Sequence, residues 1–166
     1  MRGDGDGWVF DAEGSRYWGR HGAAGLLLFT LSEAGGALIL LQHRAVWSHQ
    51  GGTWALPGGA RDSHESAVDT AVREADEEAG IADAALTVHT ELVTHRAPSG
   101  WTYTTVIAEV AVPLVTIANG ESVELRWVSS EQVNELPLHP AFGAAWPDLR
   151  IQLGSIVGAA DTGPVS

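Results

Sequence analysis

Gly58-Gly59-Ala60-Arg61-Asp62-Ser63-His64-Glu65-Ser66-Ala67-Val68-Asp69-Thr70-Ala71-Val72-Arg73-Glu74-Ala75-Asp76-Glu77-Glu78-Ala79-Gly80-Ile81 is the stretch around which the rest of the chain can be ordered. Residues 66–79 predict a helix. Ser66 can cap its N-terminus, and Asp69, three residues on, completes a capping box with Asp in place of Glu. Gly80 suits the position just past the last turn. Val68, Ala71, Val72, Ala75 and Ala79 recur at helical spacing and predict one apolar stripe. Ahead of the helix, Pro57-Gly58-Gly59 is a breaker cluster.

At ~100° per residue, Glu74, Glu77 and Glu78 stand at i, i+3 and i+4 and share a helix face, with the apolar stripe expected on the other side. Three like charges this close destabilise a bare helix. A divalent cation between them reverses that sign, and an all-oxygen donor set selects magnesium, or manganese, over softer metals. Taken alone, the three glutamates read first as a solvated acidic face.

The spacing around them is more specific. From Gly59 the chain runs five residues to Glu65, seven more to Arg73-Glu74-Ala75, then Asp76, Glu77-Glu78, Ala79 and Gly80-Ile81. This resembles the Nudix box, G-x5-E-x7-R-E-U-x-E-E-x-G-U with U a bulky apolar residue, and every fixed position matches. Ala75 is small for its slot, a departure that concerns packing rather than chemistry. The resemblance covers roughly residues 22–150. It implies an α/β fold, the Nudix α/β/α sandwich with a mixed β-sheet and a loop-helix-loop catalytic motif, in a single domain over 21–154 with the box at 59–81.

The resemblance also implies roles. Glu77 and Glu78 look like primary metal ligands, Glu74 like a further ligand or the base that activates water, and Gly58 like the donor of a backbone carbonyl to the metal. Arg73 looks like the residue that orients Glu74 or a neighbouring glutamate by a bidentate contact. Glu77 and Arg73 join Glu74 in the catalytic set. Gly59 looks like the residue that permits a tight turn, and Glu65 and Gly80 look structural. Many relatives add a carboxylate from a later loop. Here that is Glu121 or Glu124, and comparison with MutT-like patterns favours Glu121. Arg44, fourteen residues before Gly58, has the spacing of a MutT-type phosphate-binding arginine, against a surface salt bridge as its plain alternative. Phe142 lies in a segment similar to one near the base pocket of such relatives.

Outward from the box, residues 24–30 and 37–42 predict a hairpin about Gly35-Gly36, and residues 53–56 a short extended piece. Residues 86–94, 103–112 and 124–128 predict further strands, 131–136 a helical turn, and 146–153 a last helix behind Pro147. Residues 1–20, rich in Gly and Asp near their start, and residues 155–166 are expected to be tails, the first of them flexible. Trp54 and Trp127 sit in apparent strands and are expected in the core. Trp47 and Trp101 lie in likely loops and are candidates, with Phe142, for stacking on a base. The histidines read mostly as surface or loop residues, with His95 and His139 as candidates to reach a substrate. None of the seven histidines shows zinc spacing.

The composition narrows the function classes. The chain has 166 residues and a formal net charge of −12, and Arg supplies the whole cationic set. That balance opposes binding to a nucleic-acid polymer, which needs a basic stripe. No apolar run approaches the ~18 residues of a membrane span. With no cysteine, disulfides and thiolate metal sites are excluded, and the expectation is a cytoplasmic protein without a signal sequence. The partners expected are a small nucleotide and a second copy of the chain as a homodimer. The function implied is metal-dependent hydrolysis of a pyrophosphate bond, in a nucleoside triphosphate that is oxidised or not. Alternatives within the class are ADP-ribose, a nucleotide sugar or a dinucleoside polyphosphate. A non-catalytic, nucleotide-sensing Nudix domain is the alternative of another class, and such domains usually lose box glutamates.

Overall fold

The computed structural model describes residues 3–45, 51–117 and 122–161. A hairpin of β1 (Trp8–Phe10) and β2 (Arg16–Trp18) precedes the main sheet. The sheet holds β3 (Ala23–Leu31), β4 (Ala37–Arg44), β5 (Trp54–Ala55), β6 (Gly58–Ala60), β7 (Thr87–Arg96), β8 (Thr102–Glu109) and β9 (Ser122–Ser129). The strand order is β5-β4-β3-β8-β7, with β6 added to β3 and β9 to β4. β3 and β8 run parallel and the other pairs antiparallel, so the sheet is mixed. Central β3 is buried along both faces, which explains its near-continuous apolar run.

Helix α1 (Ala67–Ala79) covers one face and α2 (Pro140–Asp161) the other. Because side chains alternate along a strand, β3 sends Ala24, Leu26 and Leu28 towards Ala71, Ala75 and Ala79 of α1. It sends Leu27 and Phe29 towards Phe142, Trp146, Leu149 and Leu153 of α2. This is the expected α/β/α sandwich. No helix among the described residues is long and apolar enough to cross a membrane.

The hairpin about Gly35-Gly36 forms as expected, and Trp54 is core. Trp127 is half-buried, packs against the α1-side core and donates its indole N–H to Leu114 O at 3.1 Å. Three expectations need correction. The segment 1–20 was expected to be a flexible tail; its described residues, from Gly3 on, contain β1 and β2 and are bonded to the box loop through Asp4 and Gly5. Composition could not reveal this, because its glycines serve close packing. The last helix starts at Pro140 rather than Trp146 and runs to Asp161, into the expected C-terminal tail, with Pro147 in its interior. An interior proline removes one helical hydrogen bond. Burial of Phe142, Trp146, Leu149 and Leu153, spaced i, i+4, i+7, i+11 along one stripe, holds the helix across it. Gly59 lies in β6, paired to Ala24, and not in a turn.

Candidate active site

Local sequence builds the helix that carries the site. Ser66 caps α1 and accepts from Asp69 N–H at 3.0 Å, while Asp69 accepts in return from Ser66 N–H at 3.1 Å. Gly80 ends the helix in the left-handed region at φ 69°, a conformation a side chain would strain. The buried positions are Thr70, Ala71, Ala75, Glu78 and Ala79. Val68 and Val72, expected in the stripe, are only half-buried at its edge. The stripe is rotated towards Glu78, so the carboxylate face and the apolar face adjoin instead of opposing. Glu78 is 7% exposed, because it lies nearly in line with Ala71 and Ala75 on the helix surface.

A buried carboxylate needs a partner. Glu78 Oε2 accepts from Gly58 N–H at 2.8 Å, which ties α1 to β6. The glycines of β6 and β3 make this approach possible. A Cβ on Gly59 would overlap the Glu74 carboxylate, and one on Gly58 would stand 2.7 Å from the Tyr103 hydroxyl. A Cβ on Gly25 would overlap that same hydroxyl. Glycine at 59 thus leaves the Glu74 carboxylate room to stand where it does, rather than making a turn.

Arg73 is the hub. Its Nε donates to Glu65 Oε2 at 2.8 Å and its Nη2 to Glu65 Oε1 at 2.9 Å, so the bidentate partner is Glu65. The bidentate contact was expected on Glu74 or a neighbouring glutamate; Glu74 receives a single bond, Nη1 to Oε1 at 3.0 Å, with Glu77 Oε2 at 3.3 Å and Ala60 O at 3.0 Å completing the set. The paired bond from Arg73 holds the Glu65 carboxyl down at about 2, with Asp62 N–H adding to it at 3.0 Å. Burial opposes that shift and is outweighed. Arg73 is raised in turn, chiefly by Glu65 and then by Glu74. The side chains of Glu74 and Glu77 are 14% and 46% exposed, so the acidic ridge grades from the interior to solvent.

Tyr103 on β8 is a site residue the sequence did not single out. Burial and the carboxylates of Glu78 and Glu74 push its phenol up, and Arg44 opposes them. Arg44, at the end of β4, has the strand parity of Leu40, which packs in the α1-side core, so alternation sets it on the same side of the sheet as the box carboxylates. A tyrosine inside an apolar strand carries no spacing signal, and only the strand pairing brings it beside Gly25 and Gly58.

Other candidates fall elsewhere. Glu121 and Trp47 lie outside the described residues. Glu124 is paired with Arg126 at 2.9 and 3.1 Å. It shares a strand face with Val128 of the α2-side core, whereas its neighbours Leu125 and Trp127 pack on the α1 side. Strand parity thus turns Glu124 away from Glu74, Glu77 and Glu78. Phe142 is 7% exposed and packs on Trp146 with ring centroids 5.9 Å apart, so the helix that begins at Pro140 makes it core and not a loop platform. Trp101 is stacked on Tyr17 of the N-terminal hairpin, 4.8 Å between centroids, and His95 adjoins both rings. His139 Nδ1 accepts from Ala141 N–H in the first turn of α2. Among the described residues, Asp4, Asp62 and His64 also bring ligand atoms within 4.8 Å of one another.

The comparisons with known proteins bear on family and fold. The model of the NUDIX domain matches residues 19–148. A protein of Mycobacterium tuberculosis named "Putative 8-oxo-dGTP diphosphatase 3" is 56% identical over 154 residues, covering 90% of this chain and 71% of that one. A "Nucleoside triphosphate pyrophosphatase/Nudix hydrolase fusion protein" of Bifidobacterium longum is 38% identical over 162 residues, 93% of this chain and 33% of its own length. Among solved structures, the Nudix hydrolase RenU of M. smegmatis superposes with a TM-score of 0.85 at 55% identity, covering 98% of this chain and 99% of that one. An Ap4A hydrolase of C. elegans shares the fold at a TM-score of 0.65 and 23% identity, over 80% of this chain and 98% of its own. Box, fold and relatives converge, and the chain belongs to the Nudix family of hydrolases.

Proposed function

We propose that this Nudix hydrolase cleaves a pyrophosphate bond of a nucleoside triphosphate, with an oxidised purine deoxynucleoside triphosphate as the first substrate to test. Glu74, Glu77, Glu78 and the Gly58 carbonyl would hold magnesium, which manganese can replace. The observation that carries the proposal is Glu78, a carboxylate buried in an alanine-lined interface and tied to Gly58 beside a second half-buried acid, Glu74. An acid placed there costs stability unless it has work to do. The donors also fit a hard cation. They are oxygens throughout, and Arg73 brings one positive charge to two of the three donor glutamates, Glu74 and Glu77. The name of the M. tuberculosis relative supports the substrate.

When bound, a divalent ion polarises phosphoryl oxygens and lowers the pKa of water. The chain supplies the remainder. A Glu74 carboxylate oxygen, or an equivalent one, accepts the proton from the attacking water. Water attacks the α- or β-phosphorus in line, and pyrophosphate or nucleoside monophosphate leaves. Arg73 fixes Glu74 and Glu77 while its fork stays locked on Glu65. Arg44, on the same side of the sheet, meets a phosphate of the substrate.

The test is a panel of nucleoside di- and triphosphates, including oxidised purines, with ADP-ribose, nucleotide sugars and dinucleoside polyphosphates, each with magnesium. Release of pyrophosphate and monophosphate from a triphosphate is the expected result. Turnover of ADP-ribose or a dinucleotide alone would move the substrate to that class. A folded protein that turns over nothing on the panel would contradict the proposal.

A further inference from the structure

Residues 3–7, Gly3-Asp4-Gly5-Asp6-Gly7, lie ahead of the matched family region, which begins at residue 19. They are nevertheless built into the box loop. Gly5 N–H donates to Asp62 Oδ1 at 2.9 Å. Asp4 accepts from Ser63 N–H at 2.8 Å and from the Ser63 hydroxyl. A Cβ on Gly3 would overlap the Asp62 carboxylate, and one on Gly5 would overlap the Arg61 carbonyl. The segment then turns through β1 and β2 and returns. Arg20 N–H bonds Gly5 O at 2.8 Å, Gly19 N–H bonds Gly7 O at 2.7 Å, and Trp101 Nε1–H bonds Gly19 O at 2.9 Å.

Asp62, under this cover, is 8% exposed. Its carboxylate stands 4.0 Å from Arg73 Nη2, and its own N–H bonds Glu65 Oε1 at 3.0 Å. At that separation a charge pair counts several-fold more in a sheltered site than in open water. Asp62 therefore gives the hub guanidinium an anchor on the side where Glu65 already grips it.

We propose that residues 3–20 form a strap that seats Asp62 against Arg73, which makes Asp62 a positioning residue for the carboxylates that Arg73 bridges. The strap orders the hub, and it rests on the proposed function only for what those carboxylates then hold. Strap closure and metal binding are measured separately for that reason.

The experiment uses the full chain with Gly5→Ala and Asp62→Asn. In Gly5→Ala, trypsin cleavage after Arg16 or Arg20 should accelerate about tenfold, reporting release of the strap. Exchange of the Arg73 Nε–H proton, followed by NMR, should quicken severalfold in both variants. The Mn2+ dissociation constant should rise about three- to tenfold, as for loss of a contact that orients ligands, with kcat falling alongside and KM nearly unchanged. Asp62→Asn keeps an oxygen for Gly5 N–H and should remain trypsin-resistant, which separates lost charge from lost cover. A released strap with unchanged Arg73 exchange would overturn the proposal. So would a Gly5→Ala protein as resistant to trypsin as the parent. A parent protein that binds no Mn2+ would sink the metal assignment instead, and Arg73 exchange would still decide the strap.

Discussion

On the α2 face of the sheet the helix brings Phe142, Trp146, Leu149 and Leu153; on the α1 face it brings Ala71, Ala75 and Ala79. Large side chains fill the first interface and bury the most apolar surface per residue. Methyl groups in the second let α1 sit close to β3 and β6. That closeness allows Glu78 to reach Gly58 N–H and Glu74 to fill the space above Gly59. One face supplies stability and the other gives some of it up to hold acids where water is scarce. Substitutions on the two faces should therefore fail in different ways.

The largest effect on stability belongs to the α2 face. Trp146→Ala should cost about 3–5 kcal/mol in urea unfolding, as for other buried aromatics, with residual activity tracking the folded fraction. A loss of activity at full stability would break the comparison.

On the α1 side, Glu65→Gln should cost up to about 3 kcal/mol at neutral pH, from a carboxyl held at about 2 in the fold against an ordinary 4.5. The sign follows from that depression. The contribution is complete above about pH 4.5 and is lost as pH falls towards 2. Unfolding midpoints at pH 6 and pH 3.5 should thus converge between Glu65→Gln and the parent. A gap that widens towards acid would contradict the assignment of Arg73 as its partner.

Ala75→Val should cost about 1–3 kcal/mol by overpacking. It should lower kcat by more than its stability loss explains, because α1 is pushed off β6. Equal damage to kcat from an overpacking substitution in α2 would erase the distinction between the faces. The smallest effect is expected from Asp69→Ala, which removes half of the capping box and should cost about 1 kcal/mol with kcat unchanged, read by thermal unfolding and initial rates.

What the sequence revealed was local. Ser66, Asp69 and Gly80 marked the ends of α1 within a residue, because caps are made by neighbours in the chain. The box glutamates and Arg73 were legible through their spacing. Tertiary features were not. Helical periodicity located a face but left its rotation open, so Glu78 was expected beside solvent when it points inward. Glycine at 59 signalled a turn in isolation, and only α1 packed on β6 shows that Glu74 needs the room. Pro147 suggested a helix start, yet four buried residues carry α2 through it. Glu124 was a fair candidate until its pairing with His43 in β4 set its strand face. The N-terminal glycines suggested a loose tail because close packing by backbone leaves no apolar trace.

The central claim is that the α1 face carries a hard-cation site at the expense of packing. Mn2+ titration of the parent, Glu77→Gln and Glu78→Gln tests it most directly, followed by calorimetry alongside circular dichroism. Each variant should lose at least about tenfold in Mn2+ affinity and about a hundredfold or more in kcat with the fold retained. Glu78→Gln, relieved of a buried charge, should unfold no earlier than the parent. Parent-like Mn2+ affinity in both variants would contradict the account.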